Sequence, residues 1–180
     1  MAVPSKMPKP SDIIHIEIGG EARPFRKKTM SWQAKDGRSG THAYDESSYA
    51  GWKDHARLAA SKAMTDTSTG EVRLPIDKAM AVRIEAYFAI PESVSRKLRL
   101  KMTDGSVRPC KTPDADNIAK AVNDSLTGIA IRDDKYIVSL TVLKWYSDRP
   151  RVSVDIEVIP EMTDIAASPK EQPQLFGGHD

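Results

Sequence analysis

Ile14, Ile16 and Ile18 alternate with His15 and Glu17, the period-two pattern of a half-buried strand. The pattern returns at Val82, Ile84, Ala86, Phe88 and Ile90, separated by Arg83, Glu85 and Tyr87, and again at Val152, Val154, Ile156 and Val158. A further strand is predicted from Tyr136 to Tyr146. Between these the period turns helical. One helix is predicted from Ser47, a suitable N-cap, to Met64, with Trp52, Ala56, Ala59, Ala60 and Ala63 on its packed side; its alanines imply close approach to a neighbour. A second carries Ile118, Ala119, Val122 and Leu126, with Asp114 or Asp116 as N-cap and Gly128 as C-cap. Residues 23–44 are basic and Gly-containing, with room for a second, irregular strand, and residues 91–112 read as part helix and part loop. The turn from Ser147 to Pro150 is so short that its flanking strands are expected to be antiparallel neighbours. The order of elements predicts one α+β domain over 11–160, a mixed or antiparallel sheet on two main helices, without internal repeats. Residues 1–10 are expected to be flexible and 161–180 to form a disordered tail.

Composition narrows the class. A chain of 180 residues with 39% hydrophobic and 29% charged residues is long enough for a proper core. Its single cysteine, Cys110, excludes an intrachain disulfide and a Cys/His metal framework, which makes a reducing cytoplasm the expected location. The histidines His15, His42, His55 and His179 are dispersed without ligand spacing. No segment approaches the roughly 18 apolar residues of a membrane span, and the Pro-rich start lacks the apolar centre of a signal peptide, so no membrane partner is expected.

The formal net charge of +2 conceals an uneven distribution. Of 27 basic and 25 acidic residues, one base and six acids fall in 155–180, which leaves 26 against 19, or +7, for the rest. Positive charge gathers in two runs: Arg23, Arg26, Lys27, Lys28, Lys35 and Arg38, then Arg96, Lys97, Arg99, Lys101, Arg108 and Lys111. Such runs neutralise phosphates and release condensed counterions, giving salt-sensitive affinity for DNA, although either alone also reads as a solvated loop. Trp32, within the first run, is suited to stacking on a base or to a structural role.

The candidate chemistry lies in Thr112-Pro113-Asp114-Ala115-Asp116-Asn117-Ile118-Ala119-Lys120, followed by Asp133-Asp134. Carboxylate oxygens gathered at one point suit a hard divalent cation, and without one they would repel. Lys120 stands four residues after Asp116, on the same helical face, where its ammonium would meet a scissile phosphate. The expected chemistry is metal-assisted attack on a phosphodiester, and it requires folding to bring the acids at both ends of this helix-and-turn unit into one cation-sized nest. Asp124, eight residues beyond Asp116, reads as a supporting or surface group. The alternative is a non-catalytic DNA-binding module whose acidic turn only caps a helix; a nucleotide hydrolase lacks support, since no Gly-rich phosphate loop is present.

The run from Pro113 to Val138 resembles the signature of RusA-type endodeoxyribonucleases, the Holliday-junction resolvases of bacteria and their phages: Asp-x-Asp-Asn, a helix carrying Lys, a short turn, then Asp-Asp before a strand. Tyr49-Ala50-Gly51-Trp52-Lys53 is similar to the opening of that family's first helix. The 23–28 segment departs from the family's Pro-rich, Asn-containing loop. The resemblance implies a RusA-like fold and a homodimer. It implies a structure-selective endodeoxyribonuclease that resolves four-way or branched DNA by paired symmetric nicks in recombination and repair, dependent on Mg²⁺, with Mn²⁺ as substitute. By position it assigns catalysis to Asp114, Asp116, Asp134 and Lys120 and metal binding to Asp114, Asp116, Asp133 and Asp134. The two basic runs, read from their charge and not from the resemblance, place the expected DNA contacts at Arg23, Arg26, Lys27, Lys28, Arg96, Lys97, Arg99, Lys101 and Lys111. In the tail, Gln172-Pro173-Gln174-Leu175-Phe176 resembles the Gln-x-x-Leu-Phe peptide by which bacterial repair proteins bind the sliding clamp; Gln172, Leu175 and Phe176 are the expected contacts.

Overall fold

The computed structural model describes residues 13–25 and 27–160. Strands β1 (Ile13–Gly19), β4 (Met80–Ala89), β5 (Ile137–Ser147) and β6 (Arg151–Val158) form a mixed sheet in the order β1-β6-β4-β5. Strands β2 (Lys27–Gln33) and β3 (Ser39–Asp45) pair, among the described residues, only with each other. Helices α1 (Ser47–Ala63), α2 (Arg96–Thr103) and α3 (Ala115–Leu126) complete the α+β fold. No helix among the described residues is long and apolar enough to cross a membrane.

One face of the sheet makes the core. Ile14, Ile16 and Ile18 of β1, Val82, Ile84, Ala86 and Phe88 of β4, and Val152, Val154, Ile156 and Val158 of β6 are buried against Trp52, Ala56 and Ala60 of α1 and Ile118, Val122 and Leu126 of α3. Each such aliphatic side chain gains about 1.5–3 kcal/mol from leaving water. The opposite face is polar over β1, β6 and β4, which pair antiparallel, and is covered near the end of β5 where the Gly105 turn meets Trp145. On its polar part Arg149 meets Glu17 at 2.7 Å, Arg151 lies 3.8 Å from the centre of the Tyr87 ring, and the Tyr87 hydroxyl donates to Glu85 at 2.6 Å.

Sheet order, the 23–44 segment and one helix cap are corrected. The strands flanking the short turn, β5 and β6, are not neighbours: β4 lies between them, parallel to β5 and antiparallel to β6. Two strand spacings amount to only about 10 Å, which the chain through Asp148–Pro150 can step across, and β6, its inward valines wholly buried, takes a central place. Residues 23–44 hold two regular strands where one irregular strand was expected. Within 91–112 the expected part-helical stretch is α2, which starts from Ser95, whose side chain accepts the Leu98 N–H. At α1 the N-cap is Glu46 instead of Ser47.

Beyond α2 the chain turns at Gly105, with φ +80, and lies so close to β5 that an added Cβ would stand 2.8 Å from the Trp145 ring. Backbone strain and collision therefore coincide. Gly105→Ala is expected to cost about 1–3 kcal/mol. In a chain of this size that lowers Tm by roughly 3–10 °C. An unchanged melting temperature would show that this turn does not pack on Trp145.

Candidate active site

Helix α3 is held at its start by the sheet. Lys144 belongs to the inward-facing positions of β5, paired opposite Ala86, and its ammonium donates to the carbonyls of Lys111 and, at 3.0 Å, of Pro113. Asp114 follows as N-cap residue, but its side chain makes no capping bond. Asp114 and Asp116 are exposed, and among the described residues neither carboxylate has a hydrogen-bond or ion-pair partner. Both lie at the positive end of the α3 helix dipole, where a carboxylate is a stabilising neighbour of the free N–H groups.

One turn further on, Lys120 is exposed with its ammonium 4.3 Å from the centre of the Phe25 ring. Phe25 packs edge-on against Tyr49 at 5.4 Å. The Tyr49 phenol is pushed up to about 12, chiefly by burial and then by Asp124 and Asp45. Asp124 thus lies within charge range of the Tyr49 hydroxyl of α1.

The downstream acids sit at the other end of α3. After Leu126 the chain turns at Gly128, with φ +82, and Arg132 bonds back to the Ile76 carbonyl. Asp133 caps a single 3₁₀ turn (Asp134–Tyr136), accepting the Lys135 N–H at 3.0 Å. That backbone bond, helped by the Lys135 charge, holds its carboxyl below the usual range. Asp134 is exposed and has no ion pair among the described residues.

Helix α3 has 12 residues and is about 18 Å long. Seven residue steps of strand β5, about 23 Å, lead from Ile137 beside the acid pair to Lys144 beside Pro113. Asp114 and Asp116 are therefore well apart from Asp133 and Asp134. Among the described residues no three acidic, histidine or cysteine side chains group closely enough for a metal ion. Among the described residues the single nest expected from the sequence does not form within one chain, because the twelve-residue helix α3 separates the two acidic elements and β5 carries the chain back only after the second one.

The basic residues cluster at the Asp114 end. Lys111 directly precedes it and reaches Glu21 at 3.7 Å, while Glu21 accepts the Ala89 N–H at the end of β4. Arg23 and Phe25 follow Glu21. Arg96, Lys97 and Lys101 are exposed on α2, and Arg99 is tied to Asp148. Lys28 approaches Glu46 at 3.7 Å. Lys27 begins β2, its side chain undescribed; Arg26, Gln172, Leu175 and Phe176 lie outside the described residues.

Two residues escaped the reading of the sequence. Phe25 looked like part of a basic loop and gave no signal. Lys144 did give one, since it occupies an inward position of an alternating strand.

A family model described as endodeoxyribonuclease RusA matches residues 22–157, taking in every acidic residue and Lys120 of the candidate site. The chain is also 34% identical over 151 residues to an uncharacterized protein, YqaN, of Bacillus subtilis (strain 168), covering 82% of this chain and 98% of that relative. With the family's span running from the end of β1 to the end of β6, this chain belongs to the RusA family of Holliday-junction endodeoxyribonucleases.

Proposed function

We propose that the chain is a metal-dependent, structure-selective endonuclease that resolves four-way DNA junctions by paired nicks in recombination and repair. One observation supports it most: Asp114 and Asp116, two carboxylates without a partner among the described residues, stand beside an exposed lysine at the basic end of the fold. Free hard oxygens at the start of a helix fit a divalent cation in part. Two carboxylates leave the shell open, so ligands from elsewhere must complete it.

The remaining ligand comes from a second protomer. Strand β5 is a sheet edge of 11 residues with Val138 62% and Leu140 44% exposed, an apolar margin that invites pairing. Antiparallel pairing of two β5 edges about a twofold axis would carry the start of one strand, with Asp134, to the end of the other, where Lys144 holds the approach to Asp114. Asp133 is committed to its turn, which leaves Asp134 as the ligand.

A bound Mg²⁺ or Mn²⁺ ion would supply an acidified water and Lewis acidity toward the phosphate. Lys120, kept in place by the face of Phe25, neutralises charge developing on the phosphoryl oxygens. Arg23, Lys111 and the α2 bases bind the flanking backbone and offset the repulsion between carboxylates and DNA.

Incubation with a synthetic four-way junction or a matched duplex, with Mg²⁺, tests the reading. Paired symmetric nicks in the junction alone are expected. Junction binding without cleavage would leave a non-catalytic binding module in its place.

A further inference from the structure

The β2–β3 hairpin has no place in the chemistry above, and its composition is unusual for an exposed arm. Its register pairs Trp32 with Gly40, Met30 with His42 and Lys28 with Tyr44, so these residues share one face. Met30 is 58% exposed, Trp32 49% and Tyr44 40%. No described side chain from Lys28 to Asp45 is buried. The Trp32 indole lies flat across the partner strand: an added Cβ on Gly40 would come within 3.0 Å of three of its ring atoms. One ring face is seated on the hairpin and the other is open.

An isolated two-stranded hairpin is marginal in water, so one presenting an open aromatic face is built to meet something. The place of its root says what. The chain enters β2 just after Phe25, the residue that holds Lys120, and leaves β3 just before α1, where Asp45 pairs with Lys53 at 3.2 Å. The arm therefore rises beside the proposed cleavage centre. Lys28 flanks the aromatic face and Lys35 lies at the tip, so the arm suits a polyanion with exposed rings.

We propose that this hairpin is a branch-reading arm: Trp32, with Met30 and Tyr44, stacks on bases left unpaired or terminal where DNA strands diverge, and thereby favours branched over continuous duplex DNA. The proposal rests on the nuclease reading above. Continuous duplex offers no open base face, whereas a branch point does. The seated indole is already oriented, so little freedom is lost on stacking.

The test uses the full-length protein and its Met30→Ala/Trp32→Ala and Trp32→Phe variants. Probes are a four-way junction with 2-aminopurine at the crossover, the matched duplex, and a duplex with a labelled single-stranded overhang. The double variant is expected to bind the junction about tenfold more weakly, with duplex affinity within about twofold. It should also lose the 2-aminopurine signal on junction and overhang; Trp32→Phe should keep most of both. Because the hairpin buries no described side chain, the melting temperature should stay near that of the wild type. An unchanged junction preference, an equal loss on duplex, or dissociation of a dimer in sedimentation would each overturn the proposal, the last by showing a subunit contact. If the wild-type protein cuts junctions while the variants keep their preference, only the arm is refuted. If it cuts none, the nuclease reading fails, and the overhang signal still decides the arm.

Discussion

Asp116→Asn is expected to lower junction cleavage by at least about a thousandfold while leaving junction binding as tight as before or tighter. A thousandfold loss corresponds to about 4 kcal/mol of transition-state stabilisation, the scale on which a metal centre acts. Asp116 is exposed, in the first turn of α3, and without a partner among the described residues. Its neutralisation therefore costs the fold only the dipole contribution, about 0.3–1 kcal/mol. Removing a negative charge from the basic end also removes repulsion of DNA, which gives the expected direction for binding. Cleavage on a gel, anisotropy with labelled junction and a thermal melt measure the three quantities. Cleavage within about tenfold of wild type would remove Asp116 from the site. Joint loss of binding and melting temperature would assign it to structure.

Mixing Asp116→Asn protein with Asp134→Asn protein should restore cleavage that neither shows alone. In a mixed dimer whose centres each draw Asp116 from one subunit and Asp134 from the other, one centre receives both substitutions and the other none. The intact centre nicks one strand, so the product is a singly nicked junction in place of paired nicks. If each chain built its own centre, every centre in the mixture would be damaged and activity would stay at background. The expected recovery is large, from background to a substantial fraction of single-site activity, and it follows from the length of α3. Subunits are exchanged under mild denaturant and followed by nicking of an end-labelled junction.

Much of the fold was legible because inward and outward positions alternate so regularly: the isoleucines of β1 and the valines of β6 point where period two puts them. The helices were legible through their packed faces, down to the buried Ile118, Val122 and Leu126 of α3. Sheet order was not. A turn length limits how far a chain travels and says nothing about whether a third strand fills the gap, and β4 fills it. The β2–β3 hairpin hid because strands with no buried side chain among the described residues carry no hydrophobic alternation. At the candidate site, residue types and order could be read, but distance could not. Asp-x-Asp-Asn and Asp-Asp are neighbours in sequence only if the helix between them is ignored, and its twelve residues keep them apart.

The strand order also governs when this protein can begin to work. Among the described residues β1, the first strand of the sheet, pairs with β6 alone, joining His15 to Asp155 across most of the chain, and β6 also covers the open side of β4. Until the ribosome has delivered the last eight residues of the sheet, its earliest strand has no neighbour and the core stays wet. Contacts so remote in sequence slow assembly. A nascent chain is thereby kept from acting as a nuclease, and loss of β6 by early termination would yield an unfolded polypeptide instead of a stray DNA-cutting fragment.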